Sequence, residues 1–104
     1  MDKFTSMLGL CRRAGKLAAG RDAVAAAVRK GQARLVFLTS DASPRHRREI
    51  EAADPDAPCV ALGCDMKDLS PVFGKACCVF AVTDEHFASR LGELATEYTD
   101  NKTE

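Results

Sequence analysis

Two kinds of chemistry can be sought in the side chains of this chain, catalysis and anion binding, and the spacing favours the second. No Gly-x-Ser-x-Gly elbow is present, and the two histidines, His46 and His86, stand far apart. Cys11, Cys59, Cys64, Cys77 and Cys78 include no Cys-x-x-Cys pair, and neither histidine accompanies a closely spaced pair of cysteines, so no metal site and no cofactor is expected. An odd set of this kind reads as reduced, mostly buried small hydrophobes. Ala14-Gly15-Lys16 and Phe73-Gly74-Lys75 look like fragments of a phosphate-binding loop. The complete loop needs a glycine five residues before the Gly-Lys pair and a Ser or Thr after it. Leu10 and Leu69 stand upstream, Leu17 and Ala76 downstream, so each pair reads as a helix stop followed by a lysine. Asp41 and Asp84 follow apolar runs, where α/β proteins often place ligand groups, but such aspartates are first of all turn or cap residues. No enzyme is expected.

Anion binding has a better basis. The stretch Gly15 to Asp22 leads into an alanine-rich helix, Asp22 to Lys30, that stops at Gly31. Arg12, Arg13, Lys16 and Arg21 crowd its approach. A helix N-terminus exposes unpaired N–H groups and partial positive charge, which together attract phosphate. The charge distribution agrees. The chain of 104 residues has a formal net charge of zero, yet residues 1–50 hold eleven Lys/Arg against four Asp/Glu, and residues 51–104 hold the reverse. One basic side on a neutral protein is a mild sign of a nucleic-acid partner.

The elements that position these residues follow from periodicity. Phe4, Met7, Leu8, Cys11 and Ala14 are spaced as on one helix face, and Gly15 ends that helix. Leu17–Ala19 suits only a short strand. Val24, Ala27 and Val28 form the buried face of the second helix. Arg34–Thr39 is a continuous apolar run expected to be a central strand. Ser43 and Pro44 give an N-cap and first helical position for a surface helix to Ala53 that carries Arg45, His46, Arg47 and Arg48. Cys59–Leu62 is a third strand, and Asp65 or Asp68 caps a short helix stopped by Gly74. Ala76–Val82 is a fourth strand, with Cys77 and Cys78 pointing to opposite faces. A last helix from Asp84 to about Tyr98 buries Phe87, Leu91, Leu94 and Ala95. The alternation α-β-α-β-α-β-α-β-α predicts one α/β domain, a three-layer α/β/α sandwich over residues 1–99, with a frayed polar tail at 100–104. No apolar run reaches the roughly 20 residues that span a bilayer, and no secretory signal opens the chain, so a cytoplasmic protein without a membrane partner is expected.

Gly20-x-Asp22 through Lys30-Gly31-x-Ala33-Arg34-Leu35-Val36, followed by Asp41-x-x-Pro44, resembles the kink-turn-binding ribosomal proteins, the L-thirty-e-like superfamily. The opening Met7-Leu8-Gly9-Leu10-Cys11-Arg12-Arg13-Ala14-Gly15-Lys16-Leu17 and the close Val82-Thr83-Asp84-x-x-Phe87-Ala88 look like its bacterial YlxQ-type members. The resemblance covers nearly the whole chain. It implies a small four-stranded mixed sheet and non-catalytic binding of structured RNA, ribosomal or kink-turned, with ribosome-associated proteins as further partners. The implied RNA site is Gly20, Arg21, Asp22 and Lys30, with Arg12, Arg13 and Lys16 beside it.

The family reads kink-turns with Gly-x-Asn-Glu-x-x-Lys at the start of the second helix and a basic residue four further on. Here Gly20 and Lys30 match, but Asp22 replaces Asn, Ala23 replaces Glu and Ala26 replaces Lys. Each lost contact is worth about 1–3 kcal/mol where the base pairing was good. The implied site therefore holds phosphate more than it reads bases. The alternative is a protein-interaction module on an RNA-binding fold whose RNA site has decayed. In the family the loop after the third strand, here Leu62 to Met66, also faces RNA.

Overall fold

The structure, a computed structural model, describes residues 3–74 and 77–103. The elements run α1 (Lys3–Arg13), β1 (Leu17–Ala19), α2 (Arg21–Arg29), β2 (Leu35–Leu38), α3 (Pro44–Ala53), β3 (Cys59–Ala61), α4 (Met66–Phe73), β4 (Val79–Val82) and α5 (Glu85–Thr103). The order is the expected one, and the sheet is mixed, with strands in the order β1-β4-β2-β3. β4 pairs antiparallel with both β1 and β2, while β2 and β3 are parallel. Helices cover both faces, so the predicted three-layer α/β/α sandwich with a four-stranded mixed sheet is the observed fold.

Period-two alternation divides the strand side chains between two cores. Phe37, Phe80 and Val82 face α1, α4 and α5, where they pack with Phe4, Leu8, Leu69, Phe73 and Leu91. Val36, Leu38, Val79 and Ala81 face α2 and α3, against Val24, Val28 and Ile50. The first core is built around aromatic contacts. Phe37 meets Phe4 edge-on at 5.5 Å between centroids, and Phe80 lies 5.4 Å from Phe37 and 5.0 Å from Phe73. Such pairs add to plain area burial. Ile50 is the buried residue of α3, as its thin apolar face implied.

Chain punctuation reads as the sequence suggests. Ser43 accepts the Arg45 amide at the start of α3, with Pro44 in the first helical position. At α4 both candidate caps are used: Asp65 accepts from the Asp68 amide, and Asp68 accepts from the Asp65 amide. Asp84 caps α5 by accepting from the Phe87 amide at 3.0 Å. Asp41 accepts from the Thr39 hydroxyl at 2.7 Å and from the Met66 amide at 3.2 Å, tying the β2–α3 turn to the start of α4. The two strand-end aspartates thus have structural roles.

Some boundaries shift. β4 begins at Val79, so Cys77 and Cys78 precede the strand, yet their side chains still diverge. Cys77 joins the Phe80 core, whereas Cys78 faces His46 of α3 at 3.5 Å. α5 continues to Thr103, so residues 100–103 are helical where a tail was expected. Lys75, Ala76 and Glu104 lie outside the described residues. Cys11, Cys64 and Cys77 are buried and Cys59 and Cys78 half-buried. Burial, with Asp84 nearby, pushes the Cys11 thiol up to about 11, which keeps it protonated and unreactive at neutral pH.

Two stability predictions follow from these contacts. Phe80 is fully buried between two aromatic partners, so Phe80→Ala is expected to cost about 3–5 kcal/mol in urea unfolding. The Thr39 hydroxyl holds the Asp41 carboxyl below its ordinary range, and the Phe87 amide does the same for Asp84. A depressed folded-state value means the unfolded chain binds protons first as pH falls. Stability from these groups is therefore complete above about pH 5 and drains away below about pH 4. An Asp41→Asn/Asp84→Asn variant should show a shallower acid dependence of its unfolding midpoint than the parent.

Candidate nucleic-acid interface

Sheet register fixes where the expected basic corner goes. Leu17 of β1, Val82 of β4 and Leu35 of β2 share one row, and Ala19, Phe80 and Phe37 share another two residues along. β1 and β2 therefore start at one edge of the sheet and finish at the opposite edge. Lys16 precedes β1 and Gly20 follows it, so the two lie at opposite edges, about 13 Å apart along an extended chain. The residues expected to act together divide in two. Arg12, Arg13, Lys16 and Lys30 belong to the starting edge, and Gly20, Arg21 and Asp22 to the finishing edge.

At the starting edge the backbone is firmly held. α1 ends in a glycine-centred stop: Gly15 has φ 74°, the Lys16 amide donates to Cys11 and the Gly15 amide to Arg12. The Lys16 carbonyl accepts from the Thr83 amide at 2.9 Å and from the Cys11 thiol at 3.3 Å. α2 stops in the same manner, with Gly31 at φ 71°, its amide donating to Val28 and that of Gln32 to Ala27. The Arg34 amide donates to Val82 at 2.7 Å. Lys16 is thus bonded to Thr83 and Arg34 to Val82 at the same end of the sheet.

Lys16, Lys30, Arg34, Gln32 and Thr83 line an open groove of about 460 Å³ whose floor is largely alanine, including Ala18, Ala23, Ala26 and Ala27. Among the described residues, no carboxylate lines it. Asp84 is close enough to Lys16 for the lysine to favour its charged form. Ala23 and Ala26, which stand where the resemblance implies a glutamate and a lysine, line this groove as methyl groups. Arg34 was not among the expected site residues. Its signal was available, since it stands one residue before β2 as Lys16 stands one residue before β1.

Of the other expected cations, Arg12 and Arg21 are engaged elsewhere. Arg12 donates to the Val72 carbonyl near the end of α4 at 3.1 Å. Arg21 grips both carboxylate oxygens of Glu49 on α3, the Nε bond measuring 3.0 Å, and so faces away from the groove. Arg13 is exposed. At the finishing edge, no side chain caps α2, so its first-turn amides remain open to a ligand beside the Asp22 carboxylate. The loop after β3 shares this edge, but Leu62 and Cys64 are buried, and the Cys64 carbonyl accepts from the Ser40 amide.

Gly20 makes that uncapped start possible. Its φ of 98° and ψ of 160° lie in a region open almost only to glycine, although a Cβ there would meet no atom within 4 Å. Gly20→Ala is therefore expected to cost about 1–3 kcal/mol through backbone strain alone, measured by urea unfolding. A loss near zero would show that the turn relaxes freely.

Comparison with known proteins places this architecture. The family model described as "Ribosomal protein L7Ae/L30e/S12e/Gadd45 family" matches residues 2–95. A curated relative, "RNA-binding protein YlxQ" of Enterococcus faecium, is 31% identical over 94 residues, covering 88% of this chain and 90% of the relative. A solved structure described as that of a protein with unknown function from Bacillus halodurans C superposes with a TM-score of 0.80 at 31% identity. That match covers 92% of this chain and 99% of the other. The chain belongs to the ribosomal protein L7Ae/L30e/S12e/Gadd45 family.

Proposed function

We propose that this protein is a non-catalytic, cytoplasmic RNA-binding protein of ribosomal-protein type that holds the backbone of a structured RNA in the groove beside α2. The observation that carries the reading is the groove itself, with Lys16, Lys30 and Arg34 on pinned backbone and, among the described residues, no carboxylate in its lining. Each phosphate that these cations neutralise releases counterions. The curated relative's name, an RNA-binding protein, agrees with this partner. The open amides at the start of α2 supply a second phosphate position about 13 Å along the helix. Arg12, Arg13 and Arg21 contribute less than Lys16 and Lys30, because Arg12 and Arg21 already have partners.

Kink-turn recognition is a narrower matter. Ala23 and Ala26 offer no acceptor to a sheared G·A pair and no cation to its phosphates, so binding positions the RNA without reading these bases. Binding of a kink-turn RNA to the full chain is expected to fall steeply with salt and to weaken more than tenfold in Lys16→Glu/Lys30→Glu. The same RNA with its sheared pairs mutated should bind within about threefold of the original, since only backbone contacts distinguish neither sequence. Unchanged affinity in the double variant would refute the groove. Partners retained from RNase-treated lysate, with no RNA bound by the purified protein, would favour a protein-interaction module instead.

A further inference from the structure

We infer that Thr83 and Gln32 make the groove beside α2 selective for ribose over deoxyribose, by hydrogen-bonding 2′-hydroxyls of the backbone held there. The inference rests on the RNA-binding reading and adds the sugar to what the groove recognises. Lys16, Lys30 and Arg34 can only donate, and their charge serves the phosphates. RNA and DNA carry the same phosphates, so cations alone would hold either. Thr83 and Gln32 are the two neutral polar side chains of the described lining. A hydroxyl and a primary amide each donate and accept, as a 2′-hydroxyl does.

Both side chains are free for this role. Among the described residues, neither the Thr83 hydroxyl nor the Gln32 side-chain amide forms an internal hydrogen bond. Thr83 stands just before α5, but Asp84 does the capping there by accepting from the Phe87 amide. The half-buried Thr83 hydroxyl is not a sealed orphan either, since the buried unpartnered side-chain atom among the described residues is His46 Nδ1. Solvent reaches the hydroxyl. The backbone beneath both groups is fixed: the Thr83 amide donates to the Lys16 carbonyl and the Gln32 amide to that of Ala27, each at 2.9 Å. Threonine is also stiff at χ1, so its hydroxyl samples few directions.

The surroundings suit a sugar. Each neutral group keeps company with cations: Thr83 is bonded to the backbone of Lys16, and Gln32 stands midway in sequence between Lys30 and Arg34. In a nucleotide the 2′-hydroxyl sits on the ring carbon beside the one that carries the 3′-phosphate. A polar group next to a phosphate-binding cation is therefore placed to meet it. The floor of alanine methyls leaves room for the ribose to lie close. A-form stems display their 2′-hydroxyls across a wide, shallow minor groove, so a stem offers them to such a surface.

The test uses the full chain and two fluorescently labelled kink-turn RNAs, one unmodified and one with 2′-fluorine on every stem ribose. Fluorine removes the hydroxyl donor and keeps both the charge and the A-form stem. The parent is expected to bind the fluorinated RNA at least about fivefold more weakly, the effect of one net hydrogen bond. A Gln32→Met/Thr83→Val variant should bind the two RNAs within about twofold of each other, at the parent's affinity for the fluorinated one. Its slope of log K against log salt should match the parent's, because no cation is removed. Thr83→Ser, which keeps the hydroxyl, should keep a preference for the unmodified RNA. Equal binding of both RNAs by the parent would overturn the inference, as would a preference that survives in the double variant. A shallower salt slope in that variant would overturn it too, by showing that the groove itself had changed. Failure of the parent to bind either RNA would instead sink the RNA-binding reading on which the inference depends.

Discussion

The insertion of β4 between β1 and β2 is the constraint on which the rest of the molecule depends. All four of its residues are buried, and both neighbours run antiparallel to it. Its alternating side chains supply one half of each core: Phe80 and Val82 to the aromatic side, Val79 and Ala81 to the side of α2 and α3. The strand arrives late in the chain, so the early elements β1 and β2 acquire a common frame only when it docks. Once it does, Thr83 bonds Lys16 and Val82 bonds Arg34, and three separate chain turns become one end of the sheet. The basic groove is thus a product of the strand order.

That dependence explains what could be read from sequence. Local signals were reliable because the physics behind them is local. Ser43-Pro44 starts α3, Gly31 stops α2 and Gly74 caps α4 in the left-handed conformation, each within a few residues of its cause. The alternation of helices with short apolar runs carried the fold class. Strand order is not local. The stretch from Gly15 to Asp22 is continuous in sequence and looks like one corner, yet a three-residue strand is enough to send its two ends to opposite edges of the sheet. Lys16 and Gly20 therefore serve different ends of α2.

Side-chain partnerships were equally hidden. Nothing in the neighbourhood of Arg21 names Glu49, 28 residues away, and nothing near Arg12 names the Val72 carbonyl. Both arginines look available when only their own segment is considered. Each finds its partner through helix packing, α2 on α3 and α1 on α4. Arg34 shows the converse. A lone arginine before an apolar run suggests nothing until the sheet brings it into the same groove as Lys16.

The exchange of polar readers for alanine in α2 makes sense against this geometry. A glutamate at position 23 would place negative charge at the groove, and with alanine there the described lining carries none. The methyl groups of Ala23 and Ala26 cost little desolvation when a sugar-phosphate chain lies across them, whereas an unsatisfied carboxylate would cost a great deal. Asp22 opposes this trend, since it stands at the start of α2 where phosphate would approach. Its charge favours the helix dipole in the free protein and repels an anion in the complex. The same residue that stabilises the uncapped helix start therefore opposes the approach of any anion to that start.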